Sequence, residues 1–291
     1  MPDDAAVARD AAEAEAAFSH PAVAPDATAA YGDHPDQVVD FYRPRADTEN
    51  PAPLVVVLHG GAWRAPYDRL HLTPFADFLA RRGFAVANVE YRRGSSIPAQ
   101  GEGPVAGRWP ETFDDVAAAL DALPGLVREH LPTADTRRTV VTGHSAGGHL
   151  ALWAASRHVL PEGSPWRIDR PAPFRGVVAL APIADFRAAQ ELGVCSDAAL
   201  QFLGGEGKFE ERLPHADPAA LLPTGIATTV VQGREDIVVP QEVSEAYADA
   251  AAKAGEVVGL TLLQDVGHFP LIDPAADACA VVAEEIAQLA F

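Results

Sequence analysis

The stretch from Thr139 to His158 limits the folds open to this chain more than any other. Thr139-Val140-Val141-Thr142 has the β-branched content of a buried strand, and Gly147 to His158 carries apolar residues at helical spacing. Gly143-His144-Ser145-Ala146-Gly147 joins the two, which is the G-x-S-x-G pattern of a nucleophile elbow in its required strand-to-helix setting. The glycines on either side of the serine let the backbone crowd into a sharp turn. That turn would lift the hydroxyl above the end of a sheet, beside the positive end of the following helix. The plain alternative is a glycine-rich connection with an incidental serine. Alone, the pentapeptide leaves both open, so the partners a reactive serine needs must be sought elsewhere in the chain.

Strand-like and helix-like runs alternate around this segment. Val38, Val39 and Phe41 suggest a short strand, and Leu54-Val55-Val56-Val57-Leu58 is a continuous apolar run of the kind buried on both faces of a parallel sheet. Further strands are expected at Phe84 to Tyr91, Thr139 to Thr142, Gly176 to Leu180, Thr228 to Gln232 and Val258 to Leu263. Helices are expected at Thr112 to Leu131, Gly147 to His158, Gln241 to Ala254 and Ala275 to Leu289. Such alternation predicts an α/β fold with a mostly parallel central sheet flanked by helices. The 291 residues suit one such domain, 36–291, after an acidic N-terminal segment, 1–35, in which Asp3 to Phe18 forms a surface helix or a frayed tail. Two stretches break the alternation. Asp185 to Leu222 has short helical pieces and no clear strand, so a small cap insertion is expected at about 185–222. The loop 93–109 contains Gly94, Gly101, Gly103 and Gly107 with Pro98 and Pro104. Loops of that length inside a domain are usually functional or mobile.

Composition narrows the partners. With 41 acidic against 22 basic residues the net charge is −19, a field that repels nucleic acid and anionic lipid. Its plain reading is solubility; steering of a cationic substrate is the functional alternative. Met1 to Ala30 lack the basic start and apolar run of a secretory signal, and no stretch approaches the roughly 18 apolar residues needed to span a membrane, so a cytoplasmic location without membrane partners is expected. Cys195 and Cys279 are too few for a disulfide framework and read as ordinary thiols.

A serine hydroxyl at neutral pH needs a base in hydrogen-bond reach and a third group to orient that base. Gly233-Arg234-Glu235-Asp236-Ile237-Val238-Val239-Pro240 follows one expected strand directly, and Gly267-His268-Phe269 follows the last. This gives the order Ser145, Asp236, His268 that accompanies a nucleophile elbow. Each alone reads as a solvated turn acid or a loop histidine; together, after separate strands, they read as catalytic. Glu235 and Asp265 are the competing acids. Among the other histidines, His20, His34, His71, His130, His158 and His215 lack this placement, and His144 and His149 flank the elbow without a third ligand, so no metal is expected. His59-Gly60-Gly61-Ala62-Trp63 ends the first buried strand, where small residues allow amides to approach a developing negative charge. The amides of Gly61, Ala62 and Ala146 are therefore the expected oxyanion donors. Trp63, Trp109 and Phe269 are candidate walls of a substrate pocket, with core packing as the alternative for each.

The set HGGAW at His59 to Trp63, EYRR at Glu90 to Arg93, WPET at Trp109 to Thr112, GHSAGGHLA at Gly143 to Ala151, and the Asp236 and His268 loops resembles the esterase and kynurenine formamidase-like branch of the α/β-hydrolases, with its HGGxW motif. The resemblance extends over nearly everything from Gln37 onward and implies an acyl-enzyme mechanism with no cofactor. The substrate it implies is a small ester or amide, foremost an aryl formamide such as N-formylkynurenine, with a short-chain carboxylesterase as the alternative. A ligand-binding protein that has lost the chemistry of this fold is a third reading, opposed by the presence of all three triad residues.

Overall fold

The structure is a computed structural model that describes residues 2–46, 51–94 and 105–291. The chain opens with helix α1 (Asp4–Phe18), followed by strands β1 (Ala27–Ala30), β2 (Val38–Tyr42) and β3 (Ala52–Leu58). Then come α2 (Thr73–Arg81), β4 (Ala85–Val89), α3 (Glu111–His130), β5 (Ala134–His144) and α4 (Ala146–Ala155). After β6 (Phe174–Leu180) lie three short helices, α5 (Phe186–Glu191), α6 (Ala198–Phe202) and α7 (Glu206–Ala216). The chain ends with β7 (Thr228–Gly233), α8 (Gln241–Lys253), β8 (Gly259–Leu263) and α9 (Asp277–Ala290).

The eight strands form one sheet in the order β1-β2-β4-β3-β5-β6-β7-β8. The pairs β1–β2 and β2–β4 are antiparallel and all others parallel. Parallel neighbours require crossovers, and the intervening helices bury both faces. The apolar run in β3 shows the consequence residue by residue. Leu54, Val56 and Leu58 join a core that includes Phe113, Leu150, Trp153 and Val243. Val55 and Val57 join the opposite core, with Phe75, Leu79, Val282 and Ile286. Alternate side chains of one strand thus feed α3, α4 and α8 on one side and α2 and α9 on the other.

The expected strands and long helices are found with boundaries shifted by a few residues. Two elements were not anticipated. β1 has three alanines in four residues, a poor strand former that exists because β2 offers it an edge. α2 carries Pro74 in its first turn, where a missing N–H costs nothing, and buries Phe75, Phe78 and Leu79. Between β6 and β7 the chain is helical, as expected for 185–222. Of the loop 93–109, residues 95–104 lie outside the described residues; Gly107 donates its amide to the Trp63 carbonyl at 2.8 Å. No helix among the described residues is long and apolar enough to cross a membrane. α1 is a formed helix: the Asp3 carboxylate accepts from the Ala6 amide at its start.

Candidate active site

Ser145 sits between β5 and α4 with φ +57° and ψ −118°, a conformation that a side-chain-bearing residue adopts only under constraint. The constraint is backbone packing. A Cβ added at Gly147 would lie 2.0 Å from the Leu58 carbonyl oxygen and 2.4 Å from that of His59, and one at Gly143 would lie 2.2 Å from the Gly147 oxygen. Only glycine lets α4 start this close to the end of β3. The Ser145 amide donates to Leu180 O at 2.8 Å, which ties the turn to β6. Ser145 is 3% exposed, at the carboxyl end of the parallel strands, where ligands of open α/β sheets bind.

The loop after β3 runs alongside. A Cβ at Gly60 would come within 3.3 Å of the Ser145 Cβ, so this loop borders the serine. Gly61, Ala62 and Trp63 all have positive φ, at 103°, 51° and 55°, which winds the loop tightly. Its shape is fixed from behind. His59 faces the Gly60 carbonyl through Nδ1 and Glu90 Oε1 through Nε2, each at 2.9 Å, and the Tyr91 ring stacks on it with its hydroxyl donating to His59 O at 2.6 Å. Burial alone would raise the Glu90 carboxyl, but the facing His59 ring and the Arg93 guanidinium outweigh it and hold the group down at about 2. Ala146 opens α4, where amides have no partner inside the helix. The three amides named from the sequence therefore come from two elements that meet at Ser145.

Asp236 and His268 meet across the loops after β7 and β8. His268 Nδ1 donates to Asp236 Oδ2 at 2.6 Å, and both residues are buried. This bond fixes the tautomer and leaves Nε2 with the lone pair. The other Asp236 oxygen accepts the amides of Val238 and Val239, both at 2.8 Å, while Gln232 Nε2 reaches Oδ2 at 3.2 Å. Gln232 is itself fully buried and locked, donating to Val239 O and accepting from the Ser244 hydroxyl. A Cβ at Gly233 would collide with the carbonyl oxygens of Val266 and Gly267, so this glycine lets the two loops touch. His144, beside the serine, donates Nε2–H to the His268 carbonyl at 3.0 Å, with ring centroids 4.3 Å apart. That contact links the elbow to the histidine loop. Burial drives the His144 ring far below the usual imidazole range, so it stays neutral.

Glu235, the competing acid, turns outward and pairs with Arg9 at 3.1 Å. Asp265 lies exposed, with a positive φ, in the turn after β8. Of the candidate pocket walls, Phe269 is at the site, its ring 5.1 Å from His268 and 6.2 Å from His144. Trp63 and Trp109 take the packing alternative. The Trp63 ring is completely enclosed by His149, Phe186 and Phe202, so it supports the α5–α6 segment from beneath. Trp109, just before α3, stands edge-on to Phe113 and Trp166 with the Arg212 guanidinium over its face. His149 donates to the Ala216 carbonyl, and burial holds its ring down at about 3, which makes it a tie for α7. Gln232, His144 and His59 were not expected to serve the site. The only sequence signal was polar residues in otherwise apolar strand ends.

An eight-stranded, mostly parallel sheet of this order, with a strand-to-helix turn carrying Ser145 after β5 and loops carrying Asp236 and His268 after β7 and β8, is the α/β-hydrolase fold. The chain matches the BD-FAE family model over residues 39–250 and belongs to that family. It is 26% identical over 249 residues to a rice (Oryza sativa subsp. japonica) protein named "Probable isoprenylcysteine alpha-carbonyl methylesterase ICME", covering 82% of this chain and 56% of the rice protein. The chain thus spans little more than half the length of that relative. It is 24% identical to a kynurenine formamidase of Drosophila melanogaster, with 84% of this chain and 75% of the other covered. Esterase B of Lactobacillus rhamnosis, solved in an inhibited form, shares the fold with a TM-score of 0.73 at 20% identity, covering 98% of this chain and 93% of that one.

Proposed function

We propose that this chain hydrolyses small-molecule esters or amides through an acyl-enzyme on Ser145. The observation that carries the reading is the buried 2.6 Å bond from His268 to Asp236, tied through His144 to the serine elbow. His268 Nε2 takes the Ser145 proton as Oγ attacks the carbonyl carbon. The amides of Gly61, Ala62 and Ala146 stabilise the resulting oxyanion, a contribution typically worth about a hundredfold or more in rate. The imidazolium, stabilised by Asp236, then protonates the leaving alcohol or amine. Water repeats the sequence, with His268 again the base, and releases the acid and the free serine. No cofactor enters these steps. Helices α5–α7 serve as the cap, and Phe269 borders the substrate.

One substrate reading is a short-chain carboxylic ester, supported by relatives and structural neighbours named as esterases. A second reading, an aryl formamide such as N-formylkynurenine, is favoured by the Drosophila relative and by the HGGAW sequence at 59–63. One comparison tests both. Turnover of p-nitrophenyl esters from acetyl to octanoyl is measured beside N-formylkynurenine. An added methylene changes discrimination by about 1–3 kcal/mol in a fitted acyl site, so acetyl esters should clearly outrun butyryl and longer ones in kcat/KM. Formamide turnover matching the acetyl ester selects the second reading. Rates that are flat or rising to octanoyl, with negligible formamide turnover, remove the short-acyl and formamide readings together, and turnover of none removes the proposal.

A further inference from the structure

We propose that α1 is a clamp on the acid and base loops, with Arg9 and Glu13 as positioning residues that hold Asp236 and His268 in register. The inference assumes the triad proposed above. Arg9 and Glu13 are four residues apart and so share one face of the helix. Arg9 donates both to the Glu235 carbonyl, at 3.2 Å, and to its carboxylate. Glu13 Oε1 accepts the Gly267 amide at 3.1 Å. Glu235 directly precedes Asp236, and Gly267 directly precedes His268. One helical face therefore grips each loop a single residue from the group that loop presents.

Further contacts favour the same docking. Phe18, at the end of α1, packs edge-on to Phe269 with centroids 5.3 Å apart, and to His71 at 5.7 Å. Just beyond the helix, His20 bonds to Asp273 at 2.7 Å. The approach at Gly267 is tight, since a Cβ there would lie 2.0 Å from Glu13 Oε2. Asp10 lies on the same side of α1, its Oδ1 buried without a hydrogen-bond partner. Burial raises its carboxyl, partly offset by attraction to His268. Burial of Glu13 raises its carboxyl too, partly offset by the Gly267 amide.

The test uses the full chain and two readouts: steady-state kinetics on p-nitrophenyl acetate and the rate at which a fluorophosphonate labels Ser145. Displacement of a reacting group by about 1 Å costs on the order of a hundredfold. The Arg9→Ala/Glu13→Ala variant should therefore lose at least about tenfold in kcat with KM changed less than about twofold, and be labelled correspondingly slowly. Glu13→Gln keeps an acceptor for the Gly267 amide and should restore kcat relative to Glu13→Ala. The double variant with wild-type kcat and labelling rate, or Glu13→Gln as slow as Glu13→Ala, would overturn the clamp. Wild-type protein that turns over the ester without being labelled at Ser145 would instead overturn the triad, and the clamp with it.

Discussion

The serine half of the site is positioned by backbone packing, whereas the Asp236–His268 half is positioned by side-chain hydrogen bonds between loops. Around Ser145 the close contacts run through Gly60, Gly143 and Gly147 to carbonyl groups of β3 and the elbow itself. Around His268 they run through Asp236, Gln232, His144 and, on the outside, Glu13. The first arrangement is inseparable from the core, because the elbow forms only if β3, β5 and α4 are seated. The second is assembled on top of a finished sheet and can be disturbed without unfolding it. Positioning by packing should thus fail through stability, and positioning by hydrogen bonds through rate.

The sharpest way to break this comparison is to alter chemistry and packing separately within the elbow. Ser145→Ala should lower kcat on the order of 10⁴-fold or more and leave the melting temperature essentially unchanged. Gly147→Ala, whose new methyl would strike two backbone oxygens, should cost about 3 kcal/mol of stability. Thermal melts beside ester turnover check both. A folded, stable Gly147→Ala protein would show that the packing is not what fixes the serine.

On the other half, His268→Ala should lose about as much rate as Ser145→Ala, and the double variant little more, because the two act as one unit. Asp236→Asn should lose on the order of 10³- to 10⁴-fold by spoiling the tautomer, against less than about threefold for Glu235→Gln. Kinetics of the four variants decide it. Glu235→Gln more damaging than Asp236→Asn would reverse the choice of acid.

Gln232→Leu should be intermediate, slowing turnover roughly tenfold while removing about 1–3 kcal/mol, since Ser244 and Val239 lose buried partners. A loss of stability with no change in kcat would assign Gln232 to the fold alone.

The smallest effect concerns the helical segment packed on the serine side. Asp217 accepts the Phe186 amide and caps the turn after α7; burial and then repulsion from Asp185 push its carboxyl up to about 7. A carboxyl raised on folding stabilises at low pH, and that contribution fades as pH climbs from the unfolded value near 4 through about 7. The melting temperature of Asp217→Asn should therefore gain on the wild type between pH 5 and 8. A constant difference across that range would refute it.

The elbow turn and the meeting of Asp236 with His268 were legible because their local signals coincide with strand ends. Gly143, Gly147 and Ser145 announce a turn that few other residues allow, and Asp236 and His268 follow runs that read as strands in their own right. Gln232 was hidden because a glutamine closing a strand looks like any surface residue until its neighbours are known. Trp63 was left between pocket wall and core packing, since sequence gives a bulky ring a place beside the site without saying which side it faces; in the fold it is fully buried. α1 was read as surface or tail because only Ala17 is buried; its anchors are charged side chains whose partners lie far along the chain.

That distance has a consequence for how the protein is made. Glu13 and Gly267 are 254 residues apart, and Arg9 and Glu235 are 226 apart. At about 5–20 residues per second, a ribosome takes roughly 10–50 s to supply α1 with its partners. During that interval the elbow can complete itself on β3, β5 and α4, while α1 waits with nothing to grip. On the proposed mechanism, the nascent chain carries a seated but unpaired serine until the Asp236 and His268 loops have emerged and α1 can close on them.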